Sequence, residues 1–158
     1  MIPQANGVTW RSEDAPGRSG TAYPRAFAAR VAGRCKQPLG DLFGLASFGV
    51  NRVTLAPGSQ SALRHRHFVQ DEFVFILSGE LVLVHDGGEI ELEPGMCAGF
   101  PHNGTAHHLI NRSARPAVYL EIGDRLPDDR AEYPDDDLRA EATDAGWRFV
   151  RKSGEPYA

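Results

Sequence analysis

The chain lacks the features that would assign it to several large classes of protein. None of the apolar runs in its 158 residues is long enough to cross a bilayer, so no membrane association is expected. Basic residues form no stripe and the formal net charge is −4, so nucleic acid is not an expected partner. The first residues lack the basic stretch and apolar core of a signal peptide, which predicts a cytoplasmic location.

Cysteine is scarce, and a long helical period is missing. Cys35 and Cys97 are the two cysteines of the sequence. Two such residues make neither a disulfide framework nor a zinc knuckle, so we interpret them as reduced thiols. Without amphipathic helices between the strands, a parallel β–α–β architecture is excluded.

Short apolar runs separated by turn signals dominate the sequence from Ala46 onward. Runs such as EFVFILSGE, LVLVHDGGE and AVYLEIGD alternate with Pro-Gly, Ser-Gly and Asp-Gly-Gly turns. This rhythm predicts an all-β barrel or sandwich. The segments before and after this strand-rich region differ from it in composition. We therefore expect an N-terminal arm (1–45), a barrel (46–125) and a C-terminal extension that packs on the barrel (126–158). The acidic run at 135–137 in that extension is interpreted as a solvated turn or helix start.

The stretch HRHFVQDE, at positions 65–72, places three potential metal ligands close together. His65 and His67 are two residues apart, so on a strand their side chains share one face. Glu72 begins the next apolar run, and neighbouring strands lie about 4.8 Å apart, which brings its carboxylate within reach. Downstream, His107 or His108 can complete the set. Both cannot, because adjacent strand residues point to opposite faces.

The spacing of these residues resembles the two motifs of the cupin superfamily: His65-x-His67-x4-Glu72-x6-Gly79, and Gly95-x5-Pro101 followed by His107-x3-Asn111. The resemblance implies a double-stranded β-helix, the cupin jelly-roll barrel. It also implies one divalent transition metal (Fe, Mn, Ni, Co or Zn) held by His65, His67, Glu72 and His107. The spacing to Asn111 favours His107 over His108. Beyond the motifs, the chain from about Gly33 resembles small bacterial single-domain cupins. This resemblance implies the fold and a bound metal, but it does not indicate which reaction is catalysed.

Three classes of function are compatible with such a site. The first is a metal-dependent enzyme, an oxygenase, isomerase or decarboxylase, acting on a small oxygen-rich molecule. The second is a non-catalytic small-molecule binding or sensor module, and the third is a storage or scaffold cupin. We favour the first, because four protein ligands leave two open positions on a six-coordinate ion. No general acid or base stands out in the sequence.

The pocket is predicted to be small and mostly apolar. Val74 and Ile76 share the face of Glu72, and Leu109 shares the face of His107, so these side chains are the expected walls. In the run AVYLEIGD we expect the apolar set, residues 118, 120 and 122, to face the interior in place of Tyr119 and Glu121.

A homodimer is also predicted. The run EFVFILSG is apolar on both faces, so one face is expected to be covered by something other than the barrel interior. An arm of some 45 residues without a core of its own gains stability by laying a strand on a neighbouring sheet edge.

Overall fold

The computed structural model describes residues 7–157, most of whose regular structure is β-strand. In this part of the chain one α-helix, α1, spans Arg25–Ala28, and 3₁₀ turns lie at Ser12–Asp14, Ala29–Val31 and Gly40–Phe43. None of the helices described is long and apolar enough to span a membrane. The strands are β1 (Arg34–Pro38), β2 (Phe48–Leu55), β3 (Arg66–His67), β4 (Glu72–Ser78), β5 (Leu81–His85), β6 (Gly88–Leu92), β7 (Cys97–Phe100), β8 (His107–Ile110), β9 (Ala117–Asp124), β10 (Arg130–Tyr133), β11 (Leu138–Thr143) and β12 (Gly146–Val150).

The strands pair antiparallel in three sheets, with the orders β1-β2-β9-β4-β7, β12-β11-β10-β3 and β6-β5-β8. An isolated bridge between His65 and His107 connects the second sheet to the third. The architecture is the all-β jelly-roll barrel that the turn rhythm and the motif spacing predicted.

The main core lies between the five-stranded sheet and the three-stranded sheet. Alternate side chains of each strand point inward, as the two-residue period of a strand requires. The buried side chains at this interface include Val53, Leu55, Val74, Ile76, Tyr119, Leu81, Leu83 and Leu109.

The inward face of β9 differs from the sequence-based prediction. Tyr119 is 1% exposed and belongs to the core, so the face that also carries Glu121 points inward, and the prediction that the apolar set would do so was wrong. Strand register explains this, because Tyr119 is paired with Val53 of β2 and with Ile76 of β4, both fully buried. Cross-strand partners share a face.

Both ends of the described chain pack on the barrel. In the N-terminal arm, β1 pairs with β2 of the same chain, and Tyr23 and Phe27 pack beside Phe149 and Tyr157 against the core of the four-stranded sheet. The segment after residue 126 forms β10, β11 and β12, and β10 pairs with β3. These strands therefore bring distant residues to the site of the two motifs.

The acidic run forms the turn between β10 and β11. Asp135 accepts two hydrogen bonds from Arg64, and Asp136 pairs with Arg30. The run is thus a solvated turn neutralised by arginines, one of the two predicted forms.

Gly79 ends β4 at a point where only glycine fits. Its φ is +75°, and a Cβ atom would lie 2.7 Å from the Cα of Ala117. A positive φ and a close backbone approach are both conditions that glycine alone meets without strain.

Candidate metal centre

Backbone pairing brings the four predicted ligands to one end of the barrel. His65 and His67 lie at β3, while Glu72 and His107 are the first residues of β4 and β8. The backbones of His65 and His107 exchange two N–H···O hydrogen bonds of 3.1 and 2.8 Å. Residues more than 40 positions apart thereby become direct neighbours.

The side chains of these residues converge on the carboxylate of Glu72. His107 Nε2 lies 2.8 Å from Glu72 Oε2, and His65 Nε2 lies 3.6 Å from the same oxygen. His67 Nε2 lies 3.4 Å from Glu72 Oε1. One ligand atom from each of His65, His67 and Glu72 can be chosen so that all three lie within 4.8 Å of one another.

Each imidazole is oriented by a hydrogen bond at its other nitrogen. His65 Nδ1 lies 2.7 Å from the carbonyl oxygen of Leu63, and His107 Nδ1 lies 3.2 Å from that of Thr105. A carbonyl only accepts, so Nδ1 carries the proton and Nε2 of the neutral ring keeps its lone pair. In the neutral rings the two Nε2 lone pairs are therefore available to a metal ion beside the carboxylate, whereas a ring that instead donates to Glu72 must carry a proton on Nε2 as well.

The third imidazole is held by a carboxylate. His67 Nδ1 donates to Asp129 Oδ2 at 2.6 Å, and the side chain of Asp129 is fully buried. Asp129 Oδ1 accepts a hydrogen bond of 2.9 Å from the backbone N–H of Val69. A carboxylate on the far nitrogen of a histidine is the usual second partner of a metal-ligating imidazole.

The donor set and its spacing fit a divalent transition metal. Ligands about 2.1 Å from one ion lie about 3.0 Å apart in an octahedron and about 3.4 Å apart in a tetrahedron. The observed separations between imidazole nitrogen and carboxylate oxygen, 2.8 to 3.6 Å, span these values. Imidazole and carboxylate ligands suit zinc, iron, manganese, nickel and cobalt.

The electrostatics of the cluster favour a cation. Burial raises the pKa of Glu72, but hydrogen bonds from the three imidazoles outweigh it and hold the pKa well below its usual range. Burial lowers the pKa of His67, but its hydrogen bonds to Asp129 and Glu72 outweigh burial and raise the pKa to about 10. The carboxylate of Asp129 is buried and that of Glu72 largely so, and without an ion a protonated His67 balances their charge, a role that a divalent ion can take over.

The remaining histidines lie outside the cluster. His108 Nδ1 lies 2.9 Å from the carbonyl oxygen of Ala62, and the exposed His102 pairs with Asp71. Asn111, on the face of His107, is fully buried and donates to the carbonyl oxygens of Leu55 and Arg115. It therefore closes the strand end and does not reach the cluster.

His65, His67 and Glu72 line a cavity of about 580 Å³, whereas His107 lines a small adjoining pocket. The lining of the larger cavity includes the cations Arg18, Arg34 and Lys36, the carboxylate Glu121, and four aromatic side chains, Tyr23, Tyr133, Trp147 and Phe149. The larger cavity does not have the mostly apolar walls that were predicted. Val74 and Leu109 do line the small adjoining pocket, together with His65, Glu72 and His107, while Ile76 lies in the core.

Sequence reasoning missed Asp129, Glu121 and the three cations. Asp129 lies in an acidic segment whose composition is typical of a solvated surface. Arg34 and Lys36 lie on β1, in the N-terminal arm, whose sequence has little periodicity. The signal for Glu121 was its alternation with Tyr119, which was interpreted the other way. Knowledge that β9 pairs with β2 would have indicated the inward orientation of Glu121, because this pairing places Asn51 opposite Glu121 and Asn51 donates to it at 3.3 Å.

Replacing Asp129 by asparagine should weaken metal binding by roughly 10–100-fold. An amide offers one acceptor oxygen where the carboxylate serves both His67 and Val69, and it removes the charge that supports the imidazole. Competition with a chromophoric chelator measures the affinity. Asp128→Asn is the matched control, because the exposed Asp128 has a φ of +62°, which asparagine adopts readily. Equal affinities for the two variants would contradict the role assigned to Asp129.

Comparison with known proteins agrees with the fold and the site. The model of the Cupin domain family matches residues 51–123, which include all four clustered side chains. A solved structure from Silicibacter pomeroyi, described as a sugar phosphate isomerase from a cupin superfamily, is 42% identical. That alignment covers 95% of this chain and 96% of the other, with a TM-score of 0.90. This chain belongs to the cupin superfamily.

Two further relatives extend the comparison. A solved structure from Acidithiobacillus ferrooxidans is 30% identical over 80% of this cupin and 81% of that chain, with a TM-score of 0.75. The tetracenomycin polyketide synthase protein TcmJ of Streptomyces glaucescens is 33% identical over 85 residues, 53% of this cupin. The match spans 56% of the length of that curated relative. Similar cupin barrels are thus described in different chemical contexts, so the site itself must decide the reaction.

Proposed function

We propose that this cupin is a metal-dependent isomerase of a small phosphorylated sugar. The observation that carries the proposal is the cluster of His65, His67 and Glu72, which His107 also contacts, on the wall of a cavity that includes a second carboxylate and three cations. A volume of about 580 Å³ is in the range of small-ligand sites. The likeness to the Silicibacter pomeroyi protein over nearly the whole of both chains supports the same substrate class.

In this proposal His65, His67, Glu72 and His107 hold one divalent transition metal. The ion, when bound, supplies a Lewis acid that polarises and orients a substrate carbonyl. The imidazoles are fixed for this purpose by Leu63, Asp129 and Thr105, as their Nδ1 contacts indicate. The four aromatic side chains of the lining restrict water and offer flat faces to a sugar ring.

Glu121 is the proposed base. Its Oε2 is held by Lys36 Nζ at 2.8 Å and by Asn51 Nδ2 at 3.3 Å, while Oε1 has no hydrogen bond to residues 7–157. Interconversion of an aldose and a ketose removes a proton from C2 and leaves its electron pair in an enediolate. The carboxylate accepts that proton at Oε1 and returns it to C1, and a hydroxyl proton moves from O2 to O1, so the atoms balance.

The experiment that tests the proposed function is an interconversion assay on purified protein loaded with iron, manganese, cobalt, nickel or zinc. Aldose and ketose phosphates of four to six carbons are incubated in D₂O, and proton NMR follows both product formation and deuterium incorporation at C1 and C2. Oxygen uptake and carbon dioxide release are measured in parallel for oxygenase and decarboxylase chemistry. Binding of a sugar phosphate without any turnover would contradict the proposed isomerase activity and favour a non-catalytic binding or sensor module.

We further propose that this cupin forms a homodimer through the outer face of its five-stranded sheet. On that face Phe73 is paired with Ile122 of β9, which is paired with Val50 of β2. Phe75 and Leu120 form the next apolar pair. Such a continuous apolar row is typical of a buried interface. A second copy is the occupant we expect, because a twofold axis would bury the same apolar row of both molecules in one interface.

Phe73→Glu should convert this dimer to a monomer. Phe73 is 38% exposed, so the barrel tolerates a charge there, whereas a dimer interface would bury it unpaired. Light scattering should change from about twice the chain mass of 17.3 kDa to that mass. The control is Leu126→Glu, at a loop position 49% exposed and away from this face. A wild-type protein that is monomeric at micromolar concentration would contradict the proposal.

A further inference from the structure

Three cations of the cavity share one face of a two-stranded ribbon. The backbones of Arg18 and Lys36 are directly paired through two N–H···O hydrogen bonds of 2.9 Å each. Directly paired residues share a face, and so do residues two apart on a strand, which adds Arg34. All three line the cavity that contains the metal cluster. The arm thus contributes a basic wall to a site built by the barrel.

Two of these cations lack an anionic partner. In residues 7–157 neither the Arg18 nor the Arg34 guanidinium has a carboxylate within 4.0 Å, and Arg34 donates to the carbonyl oxygen of Ser61 at 2.5 Å. By contrast, Arg64 and Arg66, which lie outside the cavity lining, pair with Asp135 and Glu132. Among the described residues, exposed arginines such as Arg25 and Arg115 also lack a carboxylate within 4.0 Å, so what distinguishes Arg18 and Arg34 is their position on the cavity wall beside the metal cluster.

The third cation removes an obstacle to anion binding. Glu121 would repel an anion in the cavity, but Lys36 Nζ lies 2.8 Å from its Oε2 and neutralises it. Arg34 is half-buried, and a guanidinium partly removed from water without a counter-charge is unfavourable. An incoming dianion supplies the counter-charge, and the planar fork of arginine matches two phosphate oxygens.

We propose that Arg34, Arg18 and Lys36 form a subsite for the phosphate group of the substrate, with Arg34 as its principal contact. The identity of the remainder of the substrate as a sugar rests on the function proposed above, whereas anion binding does not. The subsite orients the ligand, because a phosphate on the basic wall directs the rest of the molecule toward His65, His67 and Glu72. An unphosphorylated sugar lacks that orientation.

Titration with inorganic phosphate tests the subsite without requiring turnover. Calorimetry at fixed ionic strength compares wild type with Arg34→Gln, Arg34→Lys and Arg18→Gln, each as metal-loaded and as chelator-treated protein. A hydrogen bond to a charged group is worth about 1.5–3 kcal/mol, so Arg34→Gln should weaken binding by at least about tenfold. Arg34→Lys should be intermediate, and the exposed Arg18 should contribute less.

Arg112→Gln is the matched control, because Arg112 pairs with Glu89 and does not line the cavity. It should bind phosphate as the wild type does. Thermal melting checks that each variant folds, and if Arg34→Gln does not, Arg34→Lys and Arg18→Gln decide. Phosphate affinity unchanged in these variants would overturn the subsite, and so would binding that chelator treatment abolishes in the wild type, since the metal would then be the phosphate site.

The two proposals fail in different ways. Phosphate binding that depends on Arg34, together with no isomerisation of any sugar phosphate, would remove the proposed reaction and keep the subsite. Isomerisation of a sugar phosphate at an unchanged KM in Arg34→Gln and Arg18→Gln would keep the reaction and remove the subsite.

Discussion

Wild-type protein should contain close to one transition metal ion per chain, and Glu72→Gln should lose nearly all of it. Glu72 accepts contacts from all three imidazoles, and its carboxylate is the one negative charge at their centre. A neutral amide removes that charge and presents an N–H₂ group to the ion. We expect metal affinity to fall by at least about a hundredfold, the upper end of the effect expected for losing a supporting partner of a ligand. His67→Ala should have a comparable effect.

The discriminating control is His108→Ala. His108 follows His107 directly, yet its Nδ1 contacts the carbonyl oxygen of Ala62 and its ring lies outside the cluster. Elemental analysis of protein purified without a histidine tag should find wild-type occupancy in His108→Ala and low occupancy in His107→Ala. Loss of metal in His108→Ala with retention in His107→Ala would show that the third imidazole is wrongly assigned.

The barrel and its motif residues were predictable because their signals are local. The two-residue spacing of His65 and His67 gives their side chains a shared face on a strand. The Ser-Gly pair at 78–79 is a turn signal in the sequence itself, although the close approach of Ala117 that requires glycine there is not. The choice between His107 and His108 required only the alternation of one strand and the spacing to Asn111. Such features can be recognised in the sequence without knowing which strands pair.

The chemistry around the motif was not predictable in the same way, because it depends on pairing between distant strands. Asp129 reaches His67 only since β10 pairs with β3, with Ala131 opposite His67. Glu121 faces inward because β9 lies between β2 and β4, and both place buried residues opposite Tyr119. A charged residue in an apolar strand looks solvent-facing until that register is known.

The basic wall shows the same limit. Arg34 and Lys36 occur in an arm whose sequence has little periodicity, and their common face appears only when β1 is placed on the edge of the five-stranded sheet. Their orientation toward the cavity then follows from the partner of Lys36, since Glu121 already points inward. Polar residues of the cavity are thus set by the fold and not by a motif.

Glu121→Gln should abolish most turnover while leaving metal content unchanged. Glutamine has nearly the shape of glutamate, and its carbonyl oxygen still accepts hydrogen bonds from Lys36 and Asn51, so the cavity keeps its form. It cannot accept a proton from carbon. Loss of a positioned base reduces the rate by about 10²–10⁴-fold, and we expect kcat to fall by that factor.

Deuterium incorporation separates this role from a structural one. In D₂O the wild type should exchange the C2 proton of the substrate, and Glu121→Gln should not, even though it binds substrate with a similar KM. Glu132→Gln is the matched control, because Glu132 pairs with Arg66, lies on β10 in a different sheet from β9, and does not line the cavity. Turnover in Glu121→Gln equal to that in Glu132→Gln would exclude Glu121 as the base. Interconversion without solvent exchange in the wild type would point instead to transfer of hydrogen directly between the two carbons, for which Glu121 is not needed as a proton acceptor.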